Sequence, residues 1–253
     1  MSKSLPFKYV YFAPFMRNLI IDIGNSRIKS AVFEPKGLVG DHVFDSLETA
    51  LEFWQNMDFD HCLVSSVRFE EEDLRRALPF DFLFLNHSTP LPILNGYATP
   101  KSLGLDRIAA AIGAWQIAGK GPVLAIDLGS CVTYELVDEL SIYRGGAISP
   151  GLDMRARAMH EFTAKLPRIS LKEKPQSLTG DSTLTCMESG VWYGLEFEMK
   201  GQIEAYRIKF PEIRVFLCGG DAQSFVSMAK DHIFVVQNLV LFGLNCILNH
   251  NVE

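Results

Sequence analysis

The amino-acid sequence predicts an α/β fold made of two duplicated domains, and three observations lead to this prediction. The segment LIIDIGNSRIKSAVF aligns with LAIDLGSCVTYELV, which places Asp22 and Asp127 at matching positions. Strand-like and helix-like patterns alternate in both halves, as expected of α/β folds. The turn-forming run Gly119-Lys120-Gly121-Pro122 separates the halves. The predicted parts are an N-terminal extension at residues 1–16, a first domain at 17–118 and a second domain at 122–253.

The elements of the first half follow from the spacing of apolar residues. Strands are predicted at residues 19–23, 28–33, 39–44, 62–67 and 82–85. Helices are predicted at residues 48–57, 70–78 and 104–118.

The second half begins with the same plan, a strand, a turn and a second strand. Strands are predicted at residues 123–126, 132–137, 141–147 and 214–218. Helices are predicted at 151–162 and 182–209, the longer one broken or bent near Gly190, Gly194 or Gly201. After Gly219-Gly220-Asp221 we expect a helix start, one more short strand and a terminal helix.

Composition and charge exclude several classes of protein. The formal net charge of -6 argues against a general binder of nucleic acid or acidic membranes, because both need a basic surface. The net charge is compatible with an anionic small substrate, since a few local N–H groups and cations can bind a phosphate. The five cysteines form no CxxC pair, which predicts reduced thiols in a cytoplasmic protein rather than a disulfide framework or a zinc site.

Two apolar segments could be mistaken for targeting or membrane segments. Residues 9–16 follow two lysines and faintly resemble a secretion signal, but the segment contains Pro14 and lacks a small-residue cleavage site. Residues 233–249 contain several amide side chains and fall short of the ~20 apolar residues that a spanning helix needs. We therefore expect no membrane segment.

The repeated Asp-x-Gly turn is the first candidate for chemistry. Glycine at a hairpin tip lets backbone N–H groups approach a phosphate closely, and Ser26 and Ser130 add hydroxyl donors. Lys29 adds a positive charge if it points back over the turn. The carboxylates of Asp22 and Asp127 would repel phosphates unless a cation lies between carboxylate and phosphate. A single Asp-Gly hairpin turn would be unremarkable, but two copies in register favour a phosphate site.

Three further loops carry both a structural and a functional interpretation. In Gly104-Leu105-Asp106-Arg107, the aspartate can cap the helix start, or it can accept a hydroxyl proton while the arginine holds an organic acid. Gly219-Gly220-Asp221 allows close approach of a nucleotide, or is a tight strand-to-helix loop. The glycine-rich run at residues 145–151 suits close approach of a substrate, or is loop punctuation.

Other nucleotide-binding and hydrolytic designs are absent from the sequence. It contains no GxxxxGK[ST], no GxGxxG, no GxSxG and no HRD motif.

Several motifs together resemble the type III pantothenate kinases, which belong to the superfamily of acetate and sugar kinases, Hsp70 and actin. The resemblance spans nearly the whole chain from Asn18. It rests on DIGNSRIK at 22–29, Tyr97 and Pro100 ahead of LGLDR, IDLGS at 126–130, GGAISPGL at 145–152, and TGDST…MESGVWYG ending at Gly194. The resemblance implies two duplicated ribonuclease H-like domains of the actin-like ATPase fold, with the active site in the cleft between them. It also implies ATP-dependent phosphorylation of pantothenate, the first step of coenzyme A synthesis.

The resemblance assigns roles to individual residues. Asp106 would be the catalytic base, and Arg107 would hold the pantothenate carboxylate. The ATP-binding residues would be Asp22, Ile23, Gly24, Asn25, Ser26, Arg27, Ile28, Lys29 and Ser130. The residues that bind pantothenate would be Tyr97, Gly104, Leu105, Asp106, Arg107 and Thr183. Thr183 often acts across a homodimer interface in this family.

The resemblance further implies two cations. Asp22 would bind Mg²⁺ or a similar divalent cation, directly or through water. Asp127 would bind the monovalent cation, K⁺ or NH₄⁺.

Three residues depart from the family pattern, and two alternatives stay open. Leu105 replaces the usual alanine, Ser130 the usual threonine, and Glu135 stands where aspartate is common. One alternative is a non-catalytic regulator of the same fold, although such a protein should have lost Asp22, Asp106 or Asp127. The other is a kinase of another small hydroxy acid or a sugar.

Overall fold

The computed structural model describes residues 16–119, 121–171 and 173–252. These residues belong to two compact units that divide between Asn86 and His87. The division differs from the predicted boundary at residues 119–122, because the helix before that boundary packs within the second unit. The predicted N-terminal extension lies outside the described residues except for Met16.

The first unit is a five-stranded sheet with two helices. Its elements are β1 (Asn18–Ile23), β2 (Ile28–Glu34), β3 (Gly37–Phe44), α1 (Leu47–Trp54), β4 (His61–Ser66), α2 (Glu71–Ala77) and β5 (Leu83–Phe84). The strand order is β3-β2-β1-β4-β5. The β1–β2 and β2–β3 pairs are antiparallel, whereas β1–β4 and β4–β5 are parallel.

The second unit is a six-stranded sheet with four helices. Its elements are β6 (Leu94–Asn95), α3 (Leu105–Ala118), β7 (Val123–Leu128), β8 (Cys131–Val137), β9 (Ile142–Pro150), α4 (Leu152–Glu161), α5 (Thr183–Lys209), β10 (Arg214–Cys218), β11 (Ile233–Val235) and α6 (Leu239–Val252). Short 3-10 helices occupy Pro100–Ser102 and Ala222–Met228. The strand order is β11-β10-β7-β8-β9-β6.

The two sheets share one topology, as the duplicated motif predicts. In the first sheet β1 pairs antiparallel with β2, β2 antiparallel with β3, and β1 parallel with β4. In the second sheet β7, β8, β9 and β10 pair with one another in the same way. Strands β1 and β7 both have six residues and the same alternation of buried and half-buried positions. Asp22 and Asp127 are the fifth residues of these strands, and each half-buried aspartate follows three buried apolar residues. The second sheet adds β6 at its edge, which the sequence did not predict.

Helix α5 is continuous from Thr183 to Lys209, so of the predicted break or bend near its glycines, the break does not occur. The helix begins at a capping box in which Ser182 and Thr185 satisfy each other's backbone N–H groups. One face buries Met187, Val191 and Leu195 in the core of the second unit. Burial of that face outweighs the cost of about 1 kcal/mol for each helical glycine.

Helix α3 contacts α6 through glycines at their crossing. A Cβ on Gly113 would lie 2.4 Å from the carbonyl oxygen of Leu239, and one on Gly243 would lie 1.8 Å from that of Ala109. Both helices therefore approach at backbone distance, which places α3 in the second unit. Among the described residues, no helix has both the length and the hydropathy to cross a bilayer.

Candidate active site

The first Asp-x-Gly turn joins β1 to β2. Asp22 lies opposite Lys29 in the antiparallel register. The Gly24 N–H donates to the carbonyl oxygen of Arg27 at 3.0 Å, which closes the turn. Of the predicted ATP-binding residues, Ile23 and Ile28 are buried, whereas Asn25, Ser26, Arg27 and Lys29 are exposed. The buried isoleucines hold the turn on the sheet, and the exposed side chains are available to a ligand.

The second turn joins β7 to β8 and is shorter. The Gly129 N–H donates to the carbonyl oxygen of Cys131 at 3.0 Å, and the Gly151 N–H donates to that of Ser130 at 3.1 Å. A Cβ on Gly151 would lie 2.3 Å from the Gly129 carbonyl oxygen, so glycine is needed where α4 begins against this turn. Exposed Ser130 also lines a pocket of about 310 Å³ with residues of α4 and its C-terminal end.

The glycine pair after β10 contacts this second turn. Gly219 has a φ of 94°, and a Cβ there would lie 2.3 Å from Oδ1 of Asp127. The Asp221 N–H donates to the carbonyl oxygen of Leu128 at 3.0 Å. Burial raises the pKa of the Asp221 carboxyl, and the negative charge of Asp153 raises it further. The structure thus brings Gly219 and Asp127 together, which sequence spacing alone did not predict.

A half-buried carboxylate holds the glycine-rich segment at residues 145–151, which forms the end of β9 rather than the predicted loop. Glu198 on α5 accepts hydrogen bonds from the Tyr134 hydroxyl at 2.9 Å and the Ser149 hydroxyl at 2.6 Å. It also pairs with Arg155 on α4. Burial alone would raise the pKa of Glu198, but these hydrogen bonds and the Arg155 charge lower it below the ordinary value. The end of β9 is therefore tied to both helices and to β8.

Helix α3 presents the predicted base at its first turn. Gly104 is the N-cap residue, and the exposed Asp106 accepts a hydrogen bond at Oδ1 from the Arg107 N–H at 2.8 Å. A Cβ on Gly104 would lie 2.6 Å from that oxygen, so glycine leaves the space in which the carboxylate lies. The carboxylate thus bonds a free helix N–H, as the capping interpretation predicts, and is also exposed to a ligand.

Arg107 turns back onto the sheet and pairs with a buried carboxylate. Its Nε donates to Oε1 of Glu135 at 2.6 Å, and its Nη2 donates to Oε2 at 3.0 Å. The Tyr143 hydroxyl donates to Oε2 at 2.5 Å. Burial raises the pKa of Glu135, whereas the hydrogen bonds from Arg107 and Tyr143 lower it. Burial lowers the pKa of Arg107, but the hydrogen bond and charge of Glu135 raise it above the ordinary value.

Tyr97 completes this cluster. Its ring centroid lies 6.0 Å from that of Tyr143, and the Arg107 guanidinium carbon lies 5.8 Å from the Tyr97 ring centroid. Gly145 has a φ of 82°, and a Cβ there would lie 2.9 Å from the Tyr97 ring carbons. Five predicted substrate residues therefore share one region of the second unit: Tyr97, Gly104, Leu105, Asp106 and Arg107.

Comparison with known proteins shows which family has this sequence. The family model of the type III pantothenate kinases matches residues 18–205. A type III pantothenate kinase of Bacteroides fragilis is 41% identical over 248 residues, covering 92% of this chain and 98% of the relative. Another, of Cytophaga hutchinsonii, is 41% identical over 235 residues, covering 93% and 100%. The chain belongs to the type III pantothenate kinase family.

Solved structures confirm the actin-like ATPase fold of this pantothenate kinase family member. A Campylobacter jejuni protein described as a candidate Baf family transcriptional activator has a TM-score of 0.62 at 21% identity, covering 92% of this chain and 98% of that one. A ROK hexokinase of Thermus thermophilus has a TM-score of 0.51 at 13% identity, covering 94% and 100%. At such identities the likeness concerns the fold alone.

The three departures from the pantothenate kinase pattern have different surroundings. Leu105 is the half-buried first residue of α3, and Ser130 is exposed with its hydroxyl at the second turn. Glu135 is fully buried in its pair with Arg107. The sequence marked Glu135 only as a departure from the pattern and gave no sign of its partner Tyr143. The available signal was a charged residue in the apolar strand β8, because a buried charge requires a partner.

The remaining predicted residues of the pantothenate kinase site lie at other positions. Thr183 is exposed in the first turn of α5, beside the capping box. Within the part of the chain that the structure describes, no three His, Cys, Asp or Glu side chains converge as a metal site. Asp22 offers a single carboxylate, which suits a Mg²⁺ held largely by phosphate oxygens and water.

Proposed function

We propose that this chain transfers the γ-phosphoryl group of ATP to the primary hydroxyl of pantothenate, forming 4'-phosphopantothenate in coenzyme A biosynthesis. The observation that carries the proposal is the first turn of α3, where exposed Asp106 adjoins Arg107 and the Tyr97 ring. Asp106, a proton acceptor, is thus directly followed in the chain by Arg107, whose guanidinium can bind a carboxylate. Family membership supports the same reaction.

In this proposal Asp106 accepts the hydroxyl proton while the oxygen attacks the γ-phosphorus. Phosphoryl transfer passes through a loose transition state, so catalysis depends mainly on alignment and on neutralising charge. Arg107 binds the pantothenate carboxylate, and the Tyr97 ring bounds the same space. The space above Gly104 lets the Asp106 carboxylate take its position.

The two Asp-x-Gly turns bind ATP in this proposal. Exposed Ser26, Lys29 and Ser130 offer donors to the phosphates, and Asp22 binds Mg²⁺ directly or through water. A bound divalent cation would neutralise charge on the phosphate oxygens. Asp127 binds K⁺ or NH₄⁺ beside the second turn.

Further parts of the proposal concern assembly and location. Thr183 meets pantothenate across a homodimer interface, an assignment that rests on the family resemblance and on its exposure. All five cysteines are free, which supports a cytoplasmic location. The retention of Asp22, Asp106 and Asp127 favours an enzyme over a regulator of the same fold.

Purified protein should form ADP in a coupled assay only when both ATP and pantothenate are present. The rate should rise with K⁺ or NH₄⁺, compared with choline chloride at equal ionic strength. Other small hydroxy acids, tested in parallel, should give much lower kcat/KM. Failure to form ADP with pantothenate under all cation conditions would disprove the proposed reaction.

Asp127→Asn should lower kcat by about 10²-fold, because the loss of a bound cation removes several kcal/mol of charge stabilisation. The amide keeps the volume of the side chain beside Gly219, so the melting temperature should change little. Excess K⁺ should restore part of the rate. The cation role would be refuted by a variant whose rate and K⁺ response match those of the wild type.

A further inference from the structure

Glu135 is a charged residue where the strand pattern calls for an apolar one. It is the one charged residue of β8, and none of its surface is exposed. Both of its carboxylate oxygens accept hydrogen bonds from Arg107, and Oε2 also accepts one from Tyr143. Burying such a group costs free energy that only well-formed partners offset. Its neighbours on either side in the strand, Tyr134 and Leu136, are also buried.

The contact defines how the Arg107 guanidinium is turned. A guanidinium carries five N–H donors in one plane, and Glu135 occupies the edge formed by Nε and one Nη2 hydrogen. The other donor edge, formed by Nη1 and the second Nη2 hydrogen, is turned away from Glu135. The side chain of Arg107 keeps 11% of its surface exposed. A guanidinium held in one plane suits recognition of a planar carboxylate.

We infer that Glu135, supported by the Tyr143 hydroxyl, is a positioning residue that orients Arg107 so that its other donor edge receives the carboxylate of the substrate. This inference rests on the proposed function, because it assigns Arg107 to the pantothenate carboxylate. Tyr143 fixes Glu135 from the neighbouring strand, since Tyr143 is on β9 and Glu135 on β8. The Tyr97 ring, packed against Gly145, limits movement of the guanidinium on another side. The carboxylate end of the substrate is thus recognised through a hydrogen-bonded series from β9 through β8 to α3.

The experiment compares pantothenate with its alcohol analogue, in which CH₂OH replaces the carboxylate. In Glu135→Gln the amide keeps the size of the side chain but places an N–H₂ group against Arg107 or Tyr143. The KM for pantothenate should rise roughly 10- to 100-fold, because the Arg107 guanidinium is no longer oriented for its charged hydrogen bonds to the substrate carboxylate. The kcat at saturation and the KM for ATP should stay within about threefold. The KM for the alcohol analogue should be the same in variant and wild type.

Two other variants keep the inference open to refutation if Glu135→Gln fails to fold. Tyr143→Phe removes only the hydroxyl bonded to Glu135 and should raise the KM for pantothenate several-fold, again without affecting the alcohol analogue. Glu135→Asp keeps the charge and should give a KM between those of the wild type and Glu135→Gln. Circular dichroism and thermal unfolding would establish that each variant is folded.

The matched control is Asp138→Asn, which disrupts another largely buried carboxylate paired with an arginine on β9. Asp138 pairs with Arg144 at 2.6 Å and accepts N–H bonds from Leu140 and Ile142. This control should lower the melting temperature while leaving the KM values for both substrates unchanged. Equal losses on pantothenate and on the alcohol analogue, or no change in either, would overturn the positioning role. Wild-type protein that phosphorylates neither compound would instead refute the proposed function itself.

Discussion

Asp106→Asn should lower kcat with pantothenate by about 10²- to 10⁴-fold, the usual range for removing a general base. The KM values for ATP and pantothenate should stay within a few-fold of the wild type. The amide has the size of the carboxylate and keeps an oxygen that can accept from the Arg107 N–H, at the position where Oδ1 now accepts at 2.8 Å. The variant therefore retains the bond to the helix N-terminus and loses only the ability to take a proton.

This retained bond separates catalysis from helix capping. Asp73→Asn makes the same chemical change in the first turn of α2, where Asp73 is exposed and pairs with Arg76 at 3.5 Å. That control should leave kcat unchanged. Steady-state kinetics with both substrates varied, together with thermal unfolding, would distinguish the two roles. A near-wild-type kcat for Asp106→Asn would mean that another group accepts the proton.

Local signals in the sequence carried much of the fold prediction. The apolar runs ending at Asp22 and Asp127 correspond to β1 and β7, and the structure gives both the same neighbours in their sheets. The turn residues marked the ends of these strands, because glycine and serine interrupt an apolar pattern. The helix that carries Asp106 was also predicted, since apolar residues recur at helical spacing along residues 105–118.

Contacts between distant segments leave no local signal in the sequence and were not predicted. The α3–α6 crossing depends on Gly113 and Gly243, and a lone glycine in a helix pattern does not reveal which helix it will meet. That crossing is also why the compact units divide at Asn86 and His87 rather than at residues 119–122. The sequence of α3 or α6 alone does not show that the two helices cross, because each has the pattern of an ordinary buried helix.

The candidate site shows the same distinction. Asp106 and Arg107 are adjacent in sequence and could be named together. The partner of Arg107 is Glu135, which lies 28 residues further on in another strand. A charged residue inside an apolar strand predicts that some partner exists, but only the sheet register and the position of α3 determine which one.

The second large effect is expected for Gly146→Ala, on the strand that follows β8. Gly146 lies opposite Glu135 in the antiparallel register. A Cβ there would lie 1.6 Å from the carbonyl oxygen of Tyr134 and 2.6 Å from its carbonyl carbon. Both are backbone atoms of the adjacent strand, so β8 and β9 must move apart to admit a methyl group. Such movement would also disturb the contact between Glu135 and Tyr143.

We therefore expect Gly146→Ala to lower the free energy of unfolding by about 3 kcal/mol or more, at the upper end for overpacked sites. The matched control is Gly201→Ala in α5, where the added Cβ would meet no atom within 4 Å beyond its chain neighbours and the backbone of its own helix. That change should stabilise the protein by about 0.5–1 kcal/mol, because alanine favours a helix over glycine. Urea unfolding followed by circular dichroism measures both. If Gly146→Ala were as stable as the wild type, the close approach of β9 to the Tyr134 carbonyl would be wrong.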